Sequence, residues 1–259
     1  MTRAINLNAD MGEGFGAYDM GNDEALLSIV NSANVACGFH AGDATVMHSL
    51  VTRARQKGVS IGAHPGFNDI WGFGRRRIDM KPADLEYMIA YQIGALQGIA
   101  AYAGLKVTHV KPHGALYNMA SENEDYALAI GRGIKTVDPK LIYVLLSGSV
   151  MEKAAEKVGL PYAREGFVDR TYEDDGILTP RKIEGSVIRD PKVAAERVVR
   201  MVLDGELTSR QGKKIKRRID SLCVHGDEPT AVAVATAARD ALVAAGIKVV
   251  PLPEMNLGR

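Results

Sequence analysis

The N-terminal segment of the chain alternates strictly between apolar and polar residues. Residues 5–10 read Ile, Asn, Leu, Asn, Ala and Asp, and a period of two is typical of a β-strand with two different faces. Three successive polar positions on one face indicate a strand that lines a site. An edge strand with a solvated face is the alternative. It is disfavoured because later strands also end in a carboxylate or a histidine close to glycine.

The rest of the chain alternates between short apolar runs and segments with helical spacing. The apolar runs predict strands at 33–37, 59–63, 107–110, 141–146, 162–168 and 221–224, with a strand-like tail at 247–250. The helical spacing predicts helices at 23–30, 44–56, 82–104, 126–137, 150–158, 191–203 and 231–245. The polar stretch 171–190, which contains glycine and proline, is predicted to be a lid or excursion loop.

This alternation predicts an α/β fold in which residues 1–259 form a single (β/α) barrel domain. A doubly wound open sheet is the alternative. The barrel is favoured because polar residues stand at the carboxyl end of nearly every strand. A barrel gathers all these ends on one face, whereas an open sheet concentrates them at one switch point.

Composition excludes several classes of partner. The 259 residues include 32 basic and 31 acidic side chains, for a net charge of +1, so neither nucleic acid nor an anionic membrane is indicated. No apolar run approaches the roughly 20 residues of a membrane span. The sequence enters its first strand without a signal segment, which predicts a cytoplasmic protein. Cys37 and Cys223 lie in apolar runs and are expected to be buried free thiols.

Titratable residues stand at the predicted strand ends. Four of the six histidines occur there, each at or near a glycine, together with three carboxylates; the set is Asp10, His40, His64, His113, Glu165, Asp169 and His225. A single histidine in such a place is as often structural as catalytic, but four at equivalent positions indicate a shared site. The set suits a divalent metal that activates water. It also suits metal-free acid–base chemistry, and the spacing leaves both open.

Cationic residues near the same strand ends suit an anionic substrate. Lys111 could hold a carboxylate or an oxyanion, and a Schiff base is its least favoured role. Arg170 and the arginines at 75–77 could clamp an anion, although solvated side chains are an equal alternative for two of those three. The glycines at 12–16 do not predict a dinucleotide site, because the next helix begins about seven residues later. No G-x-x-x-x-G-K-[ST] motif occurs.

Several segments together resemble the LamB/YcsF family, understood as the A subunit of bacterial 5-oxoprolinase. They are NLNADMGEGFG at 6–16, ACGFHAGD at 36–43, GAHPG at 62–66, VKPHGALYN at 110–118, EGFVDRTY at 165–172 and CVHGD at 223–227. The resemblance implies a (β/α)7 barrel of the glycoside hydrolase/deacetylase type. It also implies ATP-dependent opening of the 5-oxoproline lactam to L-glutamate, together with subunits B and C.

The resemblance places eight of the candidate residues in the pocket, namely Asp10, His40, His64, Lys111, His113, Glu165, Asp169 and His225. The catalytic candidates are Asp10, Glu13, His40, His64, Lys111, His113, Glu165 and His225, and the substrate-binding candidates are Asn8, Asp43, Asp169 and Arg170. Related deacetylases bind a divalent metal through one aspartate and two histidines, for which Asp10, His64 and His113 are the nearest equivalents. ATP is expected on, or shared with, the partner subunits, and homo-oligomerisation is left open.

Two other functions fit the same residues. A self-sufficient metal-dependent deacetylase or amidohydrolase, acting on a sugar or small amide, would hold stoichiometric metal and lose activity with a chelator. A non-catalytic carrier that only binds the substrate would tolerate loss of Asp10 and His113. The clustering of titratable groups argues against the carrier, since binding a small acid needs few of them.

Overall fold

A computed structural model describes residues 3–226 and 228–257. Its strands are β1 Ala4–Met11, β2 Ser32–Ala36, β3 Ser60–His64, β4 Val107–Val110, β5 Ile142–Leu146, β6 Tyr162–Phe167, β7 Glu206–Thr208, β8 Lys214–Lys216, β9 Ser221–His225 and β10 Lys248–Val249. Its helices are α1 Asp23–Leu26, α2 Ala44–Lys57, α3 Pro82–Tyr102, α4 Gly114–Glu122, α5 Glu124–Val137, α6 Val150–Val158, α7 Pro191–Asp204 and α8 Ala231–Ala244. Asp227, part of the last segment that resembles the family, lies outside the described residues.

Seven parallel strands close into a barrel, as the alternation of strands and helices predicted. The order is β1-β2-β3-β4-β5-β6-β9, and β9 pairs with both β6 and β1 to complete the ring. The short strand β10 adds to the beginning of β1, where Ala4 pairs with Lys248. Because all seven barrel strands are parallel, their carboxyl ends meet at one mouth.

The interior of the barrel is polar, and its side chains satisfy one another. At the amino-terminal end, Asn6 Nδ2 donates to Ser32 Oγ at 2.8 Å, and Ser221 Oγ donates to Asn6 Oδ1 at 2.7 Å. One layer higher, Asn34 Nδ2 donates to Asn8 Oδ1 at 2.6 Å. His109 Nε2 lies 3.0 Å from Asn34 Oδ1. The polar face of β1 therefore points into the barrel, not toward solvent.

Helix boundaries follow the local sequence signals. Asp43 caps α2 by accepting from the backbone N–H groups of Thr45 and Val46, and Gly58 ends it at φ +68°, a conformation that glycine adopts without strain. Pro82 and Pro191 begin α3 and α7, where the missing N–H costs no hydrogen bond.

Some elements differ from the sequence-based expectation. The first helix ends at Leu26 rather than at residue 30, and only residues 248–249 of the expected C-terminal strand pair with β1. Helix α4 and the antiparallel hairpin of β7 and β8 were not expected. No side chain caps α4 and the hairpin strands have three residues each, so neither leaves a strong pattern. The stretch 171–190 lacks helices and strands, as expected, and isolated bridges join Arg170 to Val187 and Tyr172 to Leu178.

Both cysteines, Cys37 and Cys223, are buried free thiols, as expected. Among the described residues, no helix combines the length and apolar character needed to cross a bilayer.

Alanine in place of Gly94 should stabilise the protein. Gly94 lies inside α3, and a Cβ atom built there meets nothing within 4 Å. Relieving the conformational cost of a helical glycine should raise the free energy of unfolding by about 0.5–1 kcal/mol, measurable by urea denaturation. Gly62→Ala is the matched control and should destabilise, because its Cβ would overlap the His109 ring. A Gly94→Ala variant less stable than the parent would contradict an open helix face.

Candidate active site

The barrel mouth brings six of the twelve catalytic and substrate-binding candidates to the lining of one cavity of about 580 Å³. Its lining includes Asp10 from β1, His64 from β3, Lys111 and His113 just after β4, and His225 from β9. Cationic side chains also line it, namely Arg75, Arg77, Arg170, Arg181 and Lys182. A cavity of this size with convergent polar groups is typical of a small-molecule site.

Lys111 is buried between two carboxylates. Its ammonium lies 2.9 Å from Asp10 Oδ1 and 3.3 Å from Glu165 Oε1, and it donates to Cys223 Sγ at 2.8 Å. Burial alone would lower the pKa of Lys111, but Asp10, Cys223 and Glu165 raise it well above its usual value. A permanently protonated amine is not a nucleophile, so this geometry does not suit a Schiff base.

The two carboxylates beside Lys111 differ in their surroundings. Burial would raise the pKa of Asp10, but His64 and Lys111 hold it well below its usual value. Burial raises the pKa of Glu165, and the charge of Lys111 offsets this only in part. Glu165 accepts from Tyr117 Oη at 2.9 Å and from Asn8 Nδ2 at 3.1 Å. Glu165 is therefore the carboxylate better placed to hold a proton, and Asp10 the one that stays charged.

Asp169 and His225 form an acid–base pair at the cavity wall. His225 Nδ1 lies 2.9 Å from Asp169 Oδ2 and 3.0 Å from Oδ1, and the His225 backbone N–H donates to the same carboxylate. Burial would raise the pKa of Asp169, but the contacts with His225 lower it. A carboxylate that fixes one imidazole nitrogen leaves the other, Nε2, for proton exchange with a ligand.

Three histidines and a glutamate form a second cluster. One ligand atom each from Glu13, His40, His64 and His113 lies within 4.8 Å of the others, and all four side chains are buried. The rings of His40 and His113 stack at 3.6 Å. Burial first, and then neighbouring imidazoles, lower the pKa of His40 and His113 well below the usual value. Neutral imidazoles are metal ligands, so the described residues include a cluster that could hold a metal ion.

The structure gives several candidates a different setting from the one the sequence suggested. Asp43 accepts from the backbone at the start of α2 and from the Gly16 N–H at 2.8 Å. Asn8 lies in the barrel interior below the mouth. Arg170 lines the cavity, but its guanidinium donates to the carbonyl oxygens of Ser186 and Thr179 in the 171–190 stretch. Burial lowers the pKa of Arg170 to about 10.

His64 contacts both of the other members of the metal set implied by the resemblance, Asp10 and His113. Its Nε2 lies 3.3 Å from Asp10 Oδ2 and 3.1 Å from His113 Nδ1. His64 and His113 also belong to the four-residue cluster with Glu13 and His40.

Sequence reasoning did not single out four residues that shape the mouth. Asn34 donates to Asp10 Oδ1 at 2.8 Å, Tyr117 bonds Glu165, Cys223 contacts Lys111, and the Phe73 carbonyl lies 2.8 Å from His113 Nε2. An asparagine inside an apolar strand was a usable signal for Asn34. A backbone carbonyl such as that of Phe73 leaves no mark in the residue type.

The model of one family, described as the LamB/YcsF family, matches residues 5–257. The chain belongs to the LamB/YcsF family. A curated family relative from Rhodopseudomonas palustris (strain BisB5), named as the A subunit of 5-oxoprolinase, is 56% identical over 248 residues. The match covers 95% of this chain and 98% of the relative.

Solved structures agree with the family assignment. The lactam utilization protein from Thermus thermophilus superposes with a TM-score of 0.90 at 44% identity, covering 95% of this chain and 99% of that one. The catalytic domain of a peptidoglycan N-acetylglucosamine deacetylase from Eubacterium rectale ATCC 33656 has a TM-score of 0.50 at 12% identity, covering 100% and 94%. The second likeness concerns the fold alone and confirms the deacetylase-like (β/α)7 barrel.

The free energy of unfolding should fall as the pH falls below about 6.5. Burial lowers the pKa of His109 to about 3 in the folded protein, whereas an unfolded histidine titrates near ~6.5. Between these values the unfolded state binds a proton that the folded state excludes, which costs about 1.4 kcal/mol per pH unit. Above ~6.5 both states are neutral at His109 and this effect vanishes.

Urea titrations at pH 7.5, 6.5, 5.5 and 4.5 measure this dependence. His48→Ala is the control for loss of a histidine outside the barrel, because His48 packs at the surface against Tyr102. Stability that is constant from pH 6.5 to pH 4.5 would contradict a neutral buried His109.

Proposed function

We propose that this chain is the A subunit of an ATP-dependent 5-oxoprolinase, which opens the lactam of 5-oxo-L-proline to L-glutamate with ATP hydrolysis, together with subunits B and C. The observation that carries the proposal is the full-length likeness to a relative that bears this name. The neighbour named as a lactam utilization protein supports it. The buried free cysteines and the requirement for ATP fit a cytoplasmic location.

The cavity has the charges that a small anionic lactam needs. Arg75, Arg77, Arg181 and Lys182 at its lining suit the carboxylate of 5-oxoproline. The Lys111 ammonium, held in place by Asp10 and Glu165, is a fixed positive charge at the floor. A fixed cation there stabilises negative charge that develops on the carbonyl oxygen.

The Asp169–His225 pair supplies proton transfer in this proposal. Opening the lactam adds one water across the C–N bond: the hydroxyl joins the carbonyl carbon, and the ring nitrogen gains a proton. His225 Nε2 is placed to deliver or take that proton while Asp169 holds Nδ1. A second water is consumed when ATP becomes ADP and phosphate.

ATP activates the amide, whose carbonyl is too stable for ready attack by water. The sequence contains no G-x-x-x-x-G-K-[ST] motif that would hold the phosphates of a nucleotide. We therefore place the nucleotide on, or shared with, the partner subunits.

The purified chain alone should release little glutamate from 5-oxoproline, and addition of subunits B and C with ATP should restore turnover. Asp10→Asn removes the negative charge that positions Lys111 and should lower kcat of the assembled enzyme by about 100-fold or more. His48→Ala, on the outer helix, should retain full activity. Robust ATP-independent turnover by the chain alone would refute the proposal. Unchanged activity in Asp10→Asn would favour a non-catalytic carrier of the substrate.

Asp169→Asn should lower kcat by roughly 10²–10⁴-fold while KM changes little, because the amide cannot orient and support a charged imidazole as a carboxylate does. Steady-state glutamate release by the assembled enzyme gives both constants. Asp43→Asn is the matched control: its carboxylate serves the α2 cap, so kcat should stay within about twofold. A higher KM with unchanged kcat in Asp169→Asn would assign Asp169 to substrate binding instead.

A self-sufficient metal-dependent deacetylase or amidohydrolase remains the second candidate. The cluster of Glu13, His40, His64 and His113 favours it, because such a cluster could hold an ion that polarises an amide carbonyl. This function requires ATP-independent amide hydrolysis by the chain alone and its loss with a chelator. The two candidates are therefore separated by omitting ATP and the partner subunits.

A further inference from the structure

The carboxylate of Asp169 belongs to a segment that lies beyond the end of its strand. Strand β6 ends at Phe167, and the following residue still bonds to the sheet, because the Val168 N–H donates to the Cys223 carbonyl oxygen at 3.0 Å. Asp169 itself belongs to neither a helix nor a strand. Side chains outside regular elements are placed less precisely, so contacts from outside the sheet must hold this segment in position.

Arg197 of α7 contacts the backbone on both sides of Asp169. Its Nη1 donates to the carbonyl oxygen of Val168 at 3.1 Å, and its Nη2 donates to that of Arg170 at 2.9 Å. These are the residues directly before and after Asp169 in the chain. Because a guanidinium group is planar and its N–H groups form a rigid fork, one side chain fixes both carbonyl groups relative to each other.

The carbonyl oxygen of Asp169 accepts a further hydrogen bond. The Ile188 N–H, near the end of the 171–190 stretch, donates to it at 2.8 Å. Three successive carbonyl groups, those of residues 168–170, therefore accept from groups outside the barrel strands, and Arg197 provides two of the three donors. Without Arg197, a single one of these contacts would restrain the segment.

Tyr172 supports the Arg197 side chain at the same strand end. Its hydroxyl oxygen accepts from the Phe167 N–H at 2.7 Å. The guanidinium carbon of Arg197 lies 5.9 Å from the centre of the Tyr172 ring, within the range of a cation–π interaction. Tyr172 is completely buried, so its ring is a fixed support for the guanidinium group.

The Asp169 carboxylate has little room for displacement. Its Oδ2 lies 2.9 Å from His225 Nδ1 and accepts from the His225 backbone N–H at 3.2 Å. Hydrogen bonds to oxygen are weak beyond roughly 3.2–3.5 Å, so a shift of about 1 Å away from His225 would remove both contacts. With the carboxylate in place, Nδ1 of a neutral imidazole carries the hydrogen and Nε2 keeps its lone pair.

We propose that Arg197 is a positioning residue for the Asp169–His225 pair: it holds the carboxylate against Nδ1 and thereby selects the imidazole tautomer with its lone pair on Nε2. Arg197 does not line the cavity, so it acts through Asp169 and not on a ligand. The kinetic consequence rests on the proposed function, whereas the tautomer of His225 is independent of which reaction the site catalyses. A purely structural arginine would affect stability, but neither the tautomer nor kcat of the folded protein.

Nuclear magnetic resonance of the full chain with isotope-labelled histidine measures the tautomer. Spectra are recorded at about pH 8.5, where an ordinary imidazole is neutral, and His225→Gln identifies the His225 signals. We expect His225 of the parent to carry hydrogen on Nδ1. Arg197→Met should shift it toward the Nε2–H form, which free histidine favours in water. Arg197→Lys should cause a smaller shift, because one ammonium group does not span both carbonyl groups.

Arg200→Met is the matched control. Arg200 lies on the same helix and is exposed, and its Nε donates to the Glu196 carbonyl oxygen within that helix, so the His225 signals should match those of the parent. Circular dichroism confirms folding, and Arg197→Lys decides the question if Arg197→Met does not fold. A parent-like Nδ1–H population in the folded Arg197 variants would overturn the proposal.

A double-mutant cycle on the assembled enzyme tests the kinetic consequence. Arg197→Met should lower kcat by about tenfold or more while KM stays within about twofold. Because Arg197 acts through Asp169, adding Arg197→Met to Asp169→Asn should lower kcat little further, and multiplicative losses would contradict the inference. An assembled enzyme without 5-oxoproline turnover would refute the proposed function, and the tautomer measurement would then decide the role of Arg197 alone.

Discussion

The buried ammonium of Lys111 is the charge around which the barrel mouth is arranged. It joins β4 to β1 through Asp10 and to β6 through Glu165, across the width of the barrel. Removing one partner from a buried ion pair typically costs about 3–5 kcal/mol, because the remaining charge is left without compensation. The positions of Asp10 and Glu165 are thus coupled, because both carboxylates depend on the same ammonium group.

Asp10 also divides the mouth into two chemically different parts. One oxygen faces Lys111 and the other lies near His64. On one side are the charged groups and the Asp169–His225 pair, which suit recognition and proton transfer. On the other are the imidazoles of His40, His64 and His113 with the single carboxylate of Glu13. A substrate in the cavity would meet both parts, since His64, His113, Lys111 and His225 all line it.

The barrel and the strand-end histidines could be predicted from the sequence because both leave periodic, local patterns. Polar residues such as Asp10 and His64 recur at the ends of apolar runs, and parallel strands bring those ends together. Contacts made by the backbone leave no such pattern. From the sequence, Arg170 was a candidate for binding an anion. In the structure its guanidinium donates to carbonyl oxygens of the 171–190 stretch. The carbonyl oxygens of Lys111 and Phe73, which face His64 Nδ1 and His113 Nε2, are likewise backbone positions that residue types do not encode.

The polar barrel interior has a consequence for how this protein can vary. Most barrels fill this space with branched apolar side chains, which can be exchanged nearly independently. Here Asn6, Asn8 and Asn34 each serve as partner to another buried polar group. Replacing one of these residues leaves its buried partner without a hydrogen bond. Replacing both partners together can leave the stability nearly unchanged. The interior should therefore show strong epistasis, with viable sequences separated by coordinated changes rather than by single steps.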